Sequence, residues 1–231
     1  LPLYLENISP GEIGKAALAG NEFPSGHLGT DRLKSELMAL GAYARSLSAD
    51  LESGLAGPVG RTLELDFEGE YWRLSGTLTG LRENGLVRYR YDNGSPWDFL
   101  DGWIRHLFLN ACRPEGILCR SVWHFRDEKT ELGPVEDAEE RLRDLVAIYR
   151  TGLCRPLHFF PRPAWEYISN GHRLDKAADM WRESNDGEND VFNRLAMRGV
   201  DNPVDGEFAD LAGRVFGPFF AHKTGETHEG A

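Results

Sequence analysis

The sequence predicts an α/β protein, a mixed sheet flanked by helices and followed by a helical annex. Two observations carry this prediction. The apolar period is about 3.6 residues over residues 30–51, falls to about 2 over residues 61–91, and returns to about 3.6 beyond residue 96. The last third of the chain is Pro-rich and aromatic at its start, and then purely helical in pattern.

Residues 1–26 read as a connector rich in Gly and Pro, with a short helix around Gly11–Leu18. A long amphipathic helix follows, with Leu33, Leu37, Leu40, Ala44, Leu47 and Leu51 along one stripe. Thr30 or Asp31 is placed to cap it, and Gly54 to end it. Leu63, Leu65 and Phe67 then alternate with polar residues, as do Trp72, Leu74, Gly76 and Leu78. The joint Glu68-Gly69-Glu70 is a hairpin signal, and Glu83-Asn84-Gly85 is a turn into a third run ending at Tyr91. Residues 61–91 are thus predicted as a three-stranded antiparallel meander.

Pro96 suits a helix start. Behind it, Leu100, Trp103, Ile104, Leu107, Phe108 and Ala111 fall on one face, with Asp98, Asp101 and Arg105 facing away. A strand over Ile117–Phe125 precedes a helix striped by Leu142, Leu145, Val146 and Tyr149. Residues 27–155 form the expected α/β core. The annex, residues 156–222, carries helices around Ala164–Ile168, Leu174–Trp181 and Val191–Arg198, and a last one with Phe208, Leu211, Ala212, Val215, Phe216 and Phe219 on one face. The tail, residues 223–231, is polar and expected to fray.

Composition narrows the function classes. The chain has 231 residues, 41% of them hydrophobic, with six Trp and twelve Phe, enough apolar mass to offset chain entropy. No stretch is long and apolar enough to span a bilayer, and Leu1–Ile8 lacks the basic and apolar regions of an export signal. Leu1 in place of a methionine suggests a piece of a longer chain. Three cysteines, Cys112, Cys119 and Cys154, form no CxxC pair, so a reducing cytoplasm is the simpler expectation. The formal charge of −11 opposes free-standing DNA binding, which rests on counterion release onto clustered cations.

Motifs for nucleotide hydrolysis, dinucleotide binding and zinc proteolysis are missing, and no cofactor is expected. The seven histidines lack metal-ligand spacing; His106 borders an apolar helix face and His124 lies in a strand, and both read as structural. The run Phe23-Pro24-Ser25-Gly26-His27-Leu28-Gly29 precedes a helix and offers amides to a phosphate, although such a run is more often a turn.

Metal-dependent nucleases of the PD-(D/E)xK type hold their ion with an Asp on one strand and a D/E-x-K pair on the next. Gly76–Leu81 looks like the first strand and Gly85–Gly94 like the second. Thr79 then stands where the first Asp belongs, Arg90 where the second acid belongs, and Asp92 where the Lys belongs. A cation at Arg90 repels a metal, so this restriction-endonuclease-like core is expected to lack an active site, with no catalytic or metal-binding residue. The alternative is an active nuclease with relocated carboxylates drawn from Glu64, Asp66, Asp92, Asp98 and Asp101.

Three ordered runs, Trp72–Leu78, Asn84–Arg90 and Leu100–Leu107, resemble the C-terminal region of RecC-type gamma subunits of exodeoxyribonuclease V. Weaker echoes lie in Phe23–Gly26 with Gly29, and in Leu145–Pro156, with Tyr149–Leu153 and Arg155–Leu157. The resemblance implies a non-catalytic domain of a DNA-repair helicase-nuclease. In that assembly the beta (RecB-type) subunit supplies a motor and the nuclease, and the alpha (RecD-type) subunit supplies a second motor. The gamma subunit scaffolds both and splits the duplex. Its C-terminal region guides DNA ends and docks the alpha subunit; hotspot reading belongs to a region that this chain does not match. Arg141, Arg143, Arg150, Arg155, Arg162 and Arg173, set among aromatics, are the candidate DNA-contacting residues; ordinary surface arginines are the alternative.

Overall fold

The computed structural model describes residues 8–20, 24, 26–67, 69–185 and 187–224. It is a mixed α/β structure with helices flanking a mixed sheet. Helix α1 (Pro10–Ala19) opens with a capping box in which Ser9 and Glu12 satisfy each other's backbone amides. Helix α2 (His27–Leu51) starts three residues before the expected cap. Gly26 takes that position without a side-chain bond, and the Thr30 hydroxyl instead donates back to the Gly26 carbonyl within the first turn. Leu33, Tyr43 and Leu47 are its buried contacts.

The expected meander is corrected. Strands β1 (Val59–Phe67) and β2 (Glu70–Leu78) form a two-stranded antiparallel sheet of their own, in register from Val59↔Leu78 to Phe67↔Glu70. After β2 the chain turns at Gly80, whose φ of +76° redirects it before a third long strand can pair. The short β3 (Leu81–Arg82) instead makes a tight hairpin with β4 (Gly85–Tyr89). Gly85 is required there: its φ is +120°, and a Cβ would stand 2.2 Å from the Arg120 carbonyl oxygen. Glu68, in the hairpin joint, lies outside the described residues.

Helix α3 (Pro96–Cys112) has a second capping box, built by Ser95 and Asp98, with Pro96 at its first position. It carries the chain across to β5 (Ser121–His124), which pairs parallel to β4, as a crossover helix permits. The predicted strand Ile117–Phe125 is therefore shorter than expected. The pattern missed β6 (Lys129–Leu132), antiparallel to β5. The tail is also corrected: Lys223–Thr224 form β7 against β6, and the Lys223 ammonium pairs with Glu128 at 2.7 Å, while residues 225–231 lie outside the described residues. The five-stranded sheet runs β3-β4-β5-β6-β7.

Helices α4 (Ala138–Cys154), α5 (Pro161–Ser169), α6 (Leu174–Glu183), α7 (Val191–Ala196) and α8 (Gly206–His222) complete the structure. Trp103 and Leu107 are buried between α3 and the sheet. Gly102 permits the close approach, since a Cβ there would meet the Trp123 ring at 2.4 Å. The predicted stripes are each too wide by one residue: Ile104 and Tyr149 face solvent. A second apolar cluster gathers Ile148, Phe160, Trp181, Phe208 and Phe216, and Leu145, Trp165 and Phe220 pack against both clusters.

Candidate functional site

Arg88 on β4 and Arg90, one residue past its end, both stand against the first turns of α3. The Arg90 guanidinium makes a two-pronged pair with Asp98, at 2.7 and 2.8 Å, and donates to the Asn93 carbonyl at 3.1 Å. Asp98 is fixed in turn by Ser95, whose hydroxyl and backbone amide donate to Oδ2 at 2.5 and 3.0 Å. Next to this pair, Asp101 accepts from Arg88 at 3.1 Å and from the Arg105 Nε at 2.9 Å. Arg88, Arg90, Asp98 and Asp101 line an open cleft of roughly 170 Å³ together with Gly102 and Trp123.

The chemistry of this cleft follows from its charges. Bidentate arginine–carboxylate pairs are among the stronger and more directional ion pairs. Two guanidiniums and two carboxylates line the cleft, with Arg105 engaging Asp101 from outside, and both carboxylates are taken up by arginines and, for Asp98, by Ser95, which is a poor donor set for a divalent metal. Of the other two nuclease-pattern positions, Thr79 lies exposed just beyond β2, and the Asp92 carboxylate accepts from the neighbouring Asn93 amide at 2.8 Å. Glu64 and Asp66 sit on the exposed face of β1, where Asp66 accepts from the Gly69 amide in the hairpin. Among the described residues no group of three His, Cys, Asp or Glu side chains is placed to hold a metal. The run before α2 keeps Pro24 and Gly26–Gly29 within the described residues, whereas Phe23 and Ser25 lie outside them.

Two polar groups that the sequence reading set aside as structural lie at the centre of the fold. His106 is fully buried; its Nε2 donates to the Gly133 carbonyl at 2.9 Å, which leaves Nδ1 to accept from the Ser121 hydroxyl at 2.8 Å. Asn110 extends this network to the Val135 amide at 2.8 Å. On the opposite sheet face Asp50, at the end of α2, meets His124 Nε2 at 3.0 Å, Lys129 at 3.0 Å and Arg120 at 3.3 Å, and both cations also hold Glu131 at 2.8 Å. Burial opposes the Asp50 carboxylate, yet the hydrogen bonds and charges of Lys129 and His124 outweigh it and hold its pKa below the ordinary value. Tyr43 donates to the His124 carbonyl at 2.8 Å, so the same strand end anchors α2 twice. No sequence signal marks this cluster, because its members come from three separate elements.

The six candidate arginines do not form one strip. On α4, Arg141 lies about 200° around the helix from Arg143, which shares its side with Arg150. Arg141 pairs with Asp137 at 2.8 Å, Arg143 with Glu139 at 3.6 Å, and Arg150 with Glu70 while stacking over the rings of Phe67 and Trp72. Arg155 pairs with Glu207 at 2.8 Å and Arg173 with Asp175, while Arg162 lies exposed on α5.

Fold and cleft together define a mixed α/β domain whose cleft between β4 and α3 is lined by arginine–carboxylate pairs. Residues 3–172 match the family model described as the RecC C-terminal domain, and the chain belongs to that family. The family is that of gamma subunits of RecBCD-type exodeoxyribonuclease V, which work in a multi-subunit complex of DNA repair and recombination. No curated protein matches the chain. Among the described residues, no helix is long and apolar enough to cross a membrane.

Proposed function

We propose that the chain is a non-catalytic module of the gamma subunit, with a restriction-endonuclease-like core that has lost its metal site. It scaffolds the beta and alpha motor subunits and guides or splits DNA ends during double-strand break repair, in the cytoplasm and without a cofactor. The observation that carries this reading is the two-pronged pairing of Arg90 with Asp98, which sets a fixed cation where a nuclease of this type needs a metal-binding acid. The order helix, hairpin, strand, helix, parallel strand supports the nuclease-like core.

The DNA role depends on partners. The chain carries a net charge of −11, and Arg141, Arg143, Arg150, Arg155 and Arg173 already hold carboxylates. Any DNA path over these arginines is therefore discontinuous on the chain alone and forms only when partner subunits complete the positive surface. Titrating a forked duplex at low and moderate salt tests this. The chain alone is expected to bind weakly with a steep salt dependence, and more tightly once the beta and alpha subunits are added. Tight binding by the chain alone, with a shallow salt slope, contradicts it.

A further inference from the structure

We draw no further inference here: the strongest candidate, the exposed apolar face of helix α7 formed by Val191, Phe192 and Leu195, borders a groove lined by Glu188 and Asp201 as well as Arg182 and Arg194, and nothing in the structure shows what covers it.

Discussion

Replacing Trp103 by alanine is expected to destabilise the protein by about 3–5 kcal/mol, the range for emptying a large aromatic site in a well-packed core. Trp103 is 1% exposed, and its ring lies 5.7 Å from His106, 6.1 Å from Phe219 and 5.7 Å from His222, so α3, α8 and the sheet all lose a partner together. The neighbouring Ile104 gives an internal control. It is 39% exposed on the same helix, and its replacement by alanine is expected to cost about 1 kcal/mol or less. Denaturant midpoints for both variants measure the difference, and equal midpoints contradict the packing described for α3.

The second large effect is a loss of stability in acid. Burial pushes the His106 imidazole down to about 4, with the nearby His222 acting in the same direction and the bond to Gly133 opposing it. Its pKa in the folded protein is thus below that of the unfolded chain, so the unfolded state takes up the extra proton. Stability is full above pH of about 6.5 and is lost as the pH falls toward 4, by about 3 kcal/mol in total. His124, also lowered by burial, adds to the loss with the same sign. Unfolding at pH 7 and at pH 4.5 measures it, and His106→Gln is expected to flatten the dependence, although it lowers stability at neutral pH. A pH profile equally steep in that variant contradicts the assignment to His106.

These two residues also mark how far the sequence was legible. The long helix α2, the β1–β2 hairpin and α3 were legible because each repeats one period over many residues, and so was the burial of Trp103 and Leu107. Sheet order was not, since the parallel pairing of β4 with β5 is set by the crossover through α3 and not by any local signal. Strands β6 and β7 are four and two residues long, too short for a period to declare itself. In the candidate site, the sequence exposed the cation at Arg90 but not its partner Asp98, which a helix cap supplies. The Asp50 cluster joins residues up to 81 apart and has no signature at all. The arginines were visible as charges, while the carboxylates that engage Arg141, Arg143, Arg150, Arg155 and Arg173 emerged only with the fold.

The proposal that the chain is a non-catalytic module is tested most directly by incubating the purified chain with end-labelled single- and double-stranded DNA in Mg²⁺ or Mn²⁺. With Thr79, Arg90 and Asp92 at the three pattern positions, and Asp98 and Asp101 held by arginines, the account predicts intact DNA under every condition. Metal-dependent products that disappear on Asp92→Ala or Asp101→Ala substitution would contradict it and identify the chain as a nuclease with relocated carboxylates.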